Sequence, residues 1–345
     1  MKKSNIIGLD LAKNVIQICK IDTHGELISN KAISPKKLKE LLAKSTVSIV
    51  AMEGCGSCHY WGRLAKSHGH DVRIISPKKV KGFLQGQKTD ANDAVAICIA
   101  AMQIGMTFSP LKDEERQSLQ TLDSSRQFLT KELTALNNHI RAYLYEYGIT
   151  MPKGRKSLRE NIVLVLDSED DRLPVCLKSS LNVLWERYQL TISQLEEVET
   201  AKDALVKQLE PCKRLMKLEG IGPVCAAMLY ASLGDASEFK NGRQASVYVG
   251  LTPKQHSSGG KVYMIGINKQ GGNKPLRAAL YQGALSVISR LTDKPKTVKE
   301  AWLLELVKRS GIKRACIALA NKTVRTAWAL LATGKVYKPV LLSEC

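Results

Sequence analysis

Three strand-like segments follow one another at the start of the chain, Asn5–Leu9, Asn14–Asp22 and Glu26–Ile33, the last two joined by the turn Thr23-His24-Gly25. From there the pattern alternates. Ser34-Pro35 supplies an N-cap and a first-turn proline for a helix through Lys36–Lys44. A buried strand follows at Val47–Met52, then a helix around Tyr60–Ser67, a strand at Val72–Ile75 and a helical stretch containing Asp90 and Asp93. An antiparallel meander that feeds alternating helices and strands needs a mixed sheet with helices packed on it, so the fold class of this part is α/β.

That order of elements is the one of the ribonuclease H-like fold, in which the first and fourth strands lie side by side. Asp10 ends the first strand and Glu53 the fourth, so the topology brings these two acids together. The stretch Lys88-Thr89-Asp90-Ala91-Asn92-Asp93-Ala94 adds two carboxylates three residues apart, on one helix face, at the head of the apolar run Asp93–Ala101. If the acids are unrelated, Asp90 caps the helix and Asp93 sits in its first turn, both favoured by the helix dipole. If they converge, their mutual repulsion asks for a cation. Four carboxylates at one sheet edge suit two divalent ions about 4 Å apart, and ligands that are all hard oxygens favour Mg2+.

The chain carries a formal net charge of +20 over 345 residues, which points to a polyanionic partner, because each phosphate neutralised releases counterions. No apolar run reaches the length of a bilayer span, and the first residues lead straight into a strand rather than a signal peptide, so a cytoplasmic, nucleoid-associated protein is expected. Nine cysteines without a framework spacing suit a reducing compartment. Cys55-Gly56-Ser57-Cys58-His59 matches the pattern of covalent haem attachment, but that use requires export, and no second C-x-x-C completes a zinc site. Gly8-Leu9-Asp10 resembles the first phosphate loop of actin-like ATPases and sugar kinases, yet their second loop and adenosine motif are absent.

The chain divides into three consecutive parts: 1–112, 113–210 and 211–345. In the middle part, Leu119, Leu122, Leu129, Leu133, Leu136, Ile140 and Leu144 mark one long amphipathic helix. A second tract, Leu177–Leu209, keeps a heptad step through Leu181, Leu184, Tyr188, Thr191, Leu195 and Val198. The two helices pack on each other within the chain or form a coiled coil between subunits. The last part is mainly α. Leu218-Glu219-Gly220-Ile221-Gly222-Pro223 before the apolar stretch Val224–Leu233 has the pattern of a helix-hairpin-helix, in which Gly220 and Gly222 leave backbone N–H groups for phosphate oxygens. Gly250-Leu251-Thr252-Pro253 leads into a polar loop, His256-Ser257-Ser258-Gly259-Gly260-Lys261. Its serines stand among Lys254, Lys261, Lys269, Lys274 and Arg277, so the loop is either a nucleophile activated by cations or a flexible DNA contact.

Taken in this order, these motifs resemble the DEDD transposases of insertion sequences related to the Piv/MooV DNA invertases, the bridge-RNA-guided recombinases. The resemblance covers nearly the whole length. It implies an N-terminal domain similar to the Holliday-junction resolvase RuvC, whose four acids map to Asp10, Glu53, Asp90 and Asp93 as catalytic and metal-binding residues. It implies a C-terminal transposase domain whose serine attacks the DNA phosphate; Ser258, immediately before glycine, matches best, with Ser257 as the fallback. It also implies donor and target double-stranded DNA, a structured noncoding guide RNA and a homo-oligomer, dimer or tetramer, as partners. Where the family tends to have Lys-Arg-Gly-Asn, this chain has Lys269-Gln270-Gly271-Gly272-Asn273. The alternative is a hydrolytic, structure-specific endonuclease whose serine loop only clamps DNA.

Overall fold

The structure is a computed structural model, and it describes residues 5–167, 173–267 and 271–344. Its contacts group the chain into two compact units. One comprises Met1–Gln117, Ala231–Tyr248 and Val324–Thr333; the other comprises Ser118–Tyr230, Val249–Thr323 and Gly334–Cys345.

The first unit is built on a five-stranded sheet of β1 (Ile6–Leu11), β2 (Ile16–Ile21), β3 (Leu27–Ile33), β4 (Ile49–Glu53) and β5 (Asp71–Ile75), in the order β3-β2-β1-β4-β5. β1 pairs antiparallel with β2 and parallel with β4, so the first and fourth strands are neighbours, as the order of elements predicts. Strand side chains alternate between faces. Ile7, Leu9, Val50 and Met52 enter one core with α1 (Pro35–Lys44) and α2 (Cys58–Ser67). Ile6 and Ala51 enter the opposite core, beyond the short α3 (Pro77–Val80), with α4 (Asp90–Met102). Asp10 and Glu53 are the next residues on that second face, which is why both point toward the start of α4.

α4 lies unusually close to the sheet because β1 offers a glycine. A Cβ on Gly8 would stand 2.5 Å from Cys98 Sγ and 2.8 Å from the Ala94 carbonyl. The N-cap of α4 is Thr89, whose hydroxyl accepts from the Asn92 N–H; Asp90 is the first helical residue and not the cap.

In the second unit α5 (Glu114–Glu146), α6 (Arg155–Asp167) and α7 (Val175–Gln208) share one apolar core, in which Leu133, Ile140, Leu158, Ile162, Leu181 and Tyr188 are buried. Arg187 of α7 pairs with Glu132 of α5 at 2.6 Å. The heptad stripe of α7 therefore faces its own chain. α6 carried no distinct signal beside its two longer neighbours. α8 (Glu210–Leu215) and α9 (Pro223–Leu233) are joined through Gly220 and Gly222, and α10 (Gly242–Val249), which falls in the first unit but for its last residue, follows. The expected polar loop is instead a hairpin of β6 (Pro253–Ser258) and β7 (Lys261–Ile267). Gly259 and Gly260 turn it with φ of +55° and +76°, the two positive values that a tight two-residue hairpin requires. Helices α11 (Lys274–Ile288), α12 (Val298–Ser310) and α13 (Ile312–Thr333) complete the chain. Among the described residues no helix is long and apolar enough to cross a membrane.

Candidate metal centre and serine ribbon

Ligand atoms of Asp10, Asp90 and Asp93 lie within 4.8 Å of one another, the single group of this kind among the described residues. Their convergence follows from local structure. Thr89 caps α4 and so fixes where Asp90 and Asp93 project. Asn92 turns back to donate to the Gln87 carbonyl at 2.8 Å. From the sheet, Gln17 donates to Asn30, and Asn30 donates to the Ala91 carbonyl at 2.9 Å, tying β2 and β3 to the first turn of α4. Gln17 is the residue paired with Asp10 across β1 and β2. Neither Gln17 nor Asn30 was visible as a site residue in the sequence, because their importance lies in a bridge of 61 residues between Asn30 and Ala91.

Burial raises the Asp10 carboxyl above the ordinary carboxylate range, and the negative charges of Asp93 and Asp90 raise it further, with Lys88 opposing them. Glu53 is raised first by burial and then by Asp10 and Asp93. It thus feels the cluster electrostatically while standing outside the tight trio. Three hard carboxylate donors with ligand atoms this close fit a divalent cation, which replaces mutual repulsion by attraction. The Cys55-x-x-Cys58-His59 pattern forms no group of three clustered ligand atoms among the described residues. His59 is half-buried, with its pKa pushed down to about 4 by that burial first and then by the Lys112, Arg63 and Arg116 charges. Its Nδ1 accepts from the Lys112 N–H.

The hairpin presents the two serines to opposite sides. Directly paired residues of an antiparallel ladder share a face. The pairs Ser258–Lys261, His256–Tyr263 and Lys254–Ile265 therefore form one face, and Ser257–Val262 with Gln255–Met264 form the other. Ser258 shares its face with two lysines and an imidazole. Ser257 shares its own with apolar side chains, and its hydroxyl is bonded to Gln255 Nε2 at 2.7 Å. From Lys254 to Gly266 every residue of the hairpin is exposed.

The other expected contacts separate into surface and scaffold. Gly222, Lys254, Lys261 and Lys274 are exposed, and Lys269 lies outside the described residues. Arg277 was expected on a nucleic-acid face; it is 7% exposed and donates to the carbonyls of Val249 and Gly271, clasping the two ends of the hairpin. Gly220, with φ of +77°, is pressed against Gly283 of α11: a Cβ on Gly220 would be 2.5 Å from the Gly283 carbonyl. Its lack of a side chain serves packing in this structure.

Residues 7–149 match the transposase family defined by the DEDD domain of IS110 elements, and residues 212–300 match the family described as Transposase IS116/IS110/IS902. The chain is similar to the transposase for insertion sequence element IS1111A of Coxiella burnetii, with 38% identity covering 98% of this chain and 92% of that one. It is 34% identical to the transposase for insertion sequence element IS1328 of Yersinia enterocolitica, over 98% of this chain and 99% of its relative. A pilin gene-inverting protein of Moraxella bovis is 24% identical across 90% of this chain and 95% of its own length. Similarity at this level and over this length leaves one conclusion: the chain belongs to the IS110/IS116/IS902 family of insertion-sequence transposases, enzymes that cut DNA.

Proposed function

We propose that the protein cuts and rejoins double-stranded DNA by phosphoryl transfer to Ser258, assisted by Mg2+ at the acidic cluster. The observation that carries this reading is the approach of Asp10, Asp90 and Asp93 within 4.8 Å in a chain of net charge +20. Such a cluster is costly unless it holds a cation. Asp10, Asp90 and Asp93, with Glu53 completing the set, would hold two divalent ions. Such ions, when bound, would polarise the scissile phosphate and offset the charge that builds on it.

Ser258 Oγ forms a bond to phosphorus and gives up its proton, the bond from phosphorus to the 3′ oxygen breaks, and that oxygen leaves as a hydroxyl. The 5′-phosphoserine keeps the phosphoester energy, so a second 3′ hydroxyl rejoins the strand without ATP. Kinship with pilin gene-inverting proteins supports rejoining over simple hydrolysis, since inverting a gene requires every cut end to be resealed. The register of the hairpin supports Ser258 over Ser257, because Lys254, His256 and Lys261 share its face. Hydrolysis by the acidic cluster alone is the competing reading.

In this account residues 1–112 serve as the RuvC-like, metal-dependent part, 113–210 as a spacer and 211–345 as the transposase part. The turn through Gly222 acts as a helix-hairpin-helix toward phosphates, and Lys254, Lys261, Lys269 and Lys274 add cations. A structured noncoding RNA supplies sequence recognition by pairing, so the protein reads backbone shape. Two or four copies assemble; on α7 an outward line of Cys176, Val183 and Leu190 at heptad spacing supports coiled-coil contact with a second copy. The deciding experiment traps the reaction on nicked DNA whose scissile phosphate carries a bridging 3′-sulfur, so that the leaving group is a thiol that re-attacks poorly. Wild-type protein should become covalently linked to DNA with Mg2+ present. Strand cleavage by Ser258→Ala at the wild-type rate would refute the serine step and leave hydrolysis.

A further inference from the structure

Between the turn at Glu219-Gly220 and the connection from α11 to α12 lies a cleft of about 440 Å³. Val287, Leu291 and Leu303 contribute apolar wall, while Arg290, Lys294 and Lys296 bring three cations to it. Its two acids are spoken for. Glu219 takes the Lys299 ammonium on one oxygen and the Tyr337 hydroxyl on the other. Glu300 accepts from the backbone N–H groups of Lys296 and Thr297, at 2.6 and 3.2 Å, as the second half of a capping box. No ion pair engages the side chains of Arg290, Lys294 or Lys296 among the described residues, and all three are exposed. Asp293, in the same connection, does not line the cleft.

The cations are also held in place. Thr292 Oγ1 donates to the Lys294 carbonyl, and the C-terminal segment pairs with the backbone on both sides of Thr297: Val298 N–H donates to Val340 and Leu342 N–H donates to Lys296, each at 3.1 Å. On the opposite wall, the backbone contact between Gly220 and Gly283 fixes the turn against α11. A concave surface lined by four cations and two carboxylates, a net charge of +2, concentrates field lines and favours a polyanion. The volume is that of a small-ligand site of roughly 300–1,000 Å³ and accommodates about one nucleotide. No aromatic ring lines it, so there is no platform on which a base could stack.

We propose that this cleft is a sequence-blind site for the sugar-phosphate backbone of a nucleic-acid strand, with Arg290, Lys294 and Lys296 as its phosphate contacts. It requires only that the protein binds nucleic acid, and none of its lining residues belongs to the serine hairpin or the metal cluster. Phosphodiester groups come from DNA or from RNA, and the test separates the two.

Binding of full-length protein to fluorescein-labelled single-stranded 12-mers, one DNA and one RNA, is followed by anisotropy between 50 and 300 mM NaCl. The R290A/K294A/K296A variant should bind at least one of the strands about tenfold more weakly or worse at the middle of this range. Its slope of log affinity against log salt should be shallower by about 2, three contacts at roughly 0.7 each for single strands. K294R/K296R should keep the wild-type slope. Loss with DNA only, RNA only or both assigns the strand. Binding is measured in EDTA, where metal-dependent cutting does not occur, so failure of the cutting mechanism leaves this result untouched. The proposal is overturned if the triple variant keeps the wild-type affinity and slope. It is equally overturned if K36A/K37A/K44A, which removes three exposed charges from α1, loses as much. Unchanged thermal midpoints confirm that each variant is folded, and the single substitutions, with additive losses, serve where the triple variant is not.

Discussion

The acidic trio and the serine hairpin are positioned by opposite means. Asp10, Asp90 and Asp93 project from a strand and a helix that share a buried core, and Gly8 lets that helix settle onto the sheet. Ser257 and Ser258 sit on a ribbon with no core beneath it, exposed from Lys254 to Gly266. Like charges repel, so a cluster of carboxylates needs a stiff scaffold to hold it together. A hydroxyl that must reach a phosphate needs no such burial; its surroundings are set by ladder register alone. Rigidity and register are therefore separable sources of precision, and each can be attacked on its own.

The largest contrast should come from the serines. Ser258→Ala should abolish covalent attachment to DNA, a loss on the order of 10³-fold or more, whereas Ser257→Ala should stay within about threefold of wild type. Equal effects in the suicide-substrate assay would mean that the facing of the two hydroxyls does not matter. Next comes Asp10→Asn, expected to lower the rate of Mg2+-dependent strand cleavage by about 10²-fold or more, as EDTA should in the native protein. Retention of cleavage by either route would detach the trio from the chemistry.

Backbone substitutions should divide the two regions by stability. Gly8→Ala forces apart β1 and α4 and should cost about 1–3 kcal/mol in urea unfolding. Gly259→Ala meets no atom within 4 Å and only the strain of its positive φ, so about 1 kcal/mol or less is expected, confined to the hairpin. A reversal of that order would place the mechanical weight on the ribbon.

The smallest effect concerns pH. Asp10 and Glu53 hold their protons more tightly in the folded chain than in the unfolded one. Below an ordinary carboxylate value near 4 both states are protonated and nothing is lost. As pH rises from there through the raised values, the unfolded chain ionises first and metal-free stability falls. Asp10→Asn should flatten this fall and raise the metal-free midpoint near pH 7 by roughly 2–4 °C. Calorimetry in EDTA reads it, and a lowered midpoint would show that the trio is not a source of repulsion.

Much of the acidic site was legible because its determinants are periodic or local. Alternation along β1 and β4 and the capped start of α4 announce the positions of Asp10, Glu53, Asp90 and Asp93. Thr89 rather than Asp90 as the cap is a shift of one residue, within what a run of cap-competent side chains leaves open. The hairpin was not legible. Pro253–Ser258 lacks apolar alternation, and Lys261–Ile267 is apolar on both faces yet exposed, so neither reads as a half-buried strand. Arg277 looked like one more surface cation because its partners, the Val249 and Gly271 carbonyls, are backbone atoms that no side-chain pattern reveals. Gly220 meets Gly283 from 63 positions away, a separation at which local motifs carry no information.

The turn at Gly259-Gly260 has a further consequence for how such enzymes change over time. Because neighbouring hydroxyls on a strand look in opposite directions, adding one residue to β6 between His256 and Ser257 while keeping the rest of the pairing would separate Ser258 from Lys254 and His256, leaving Lys261 as its sole cationic companion. The hydroxyl proposed to react is thus specified by counting rather than by enclosure, and a single codon gained or lost in that short span is enough to disconnect it.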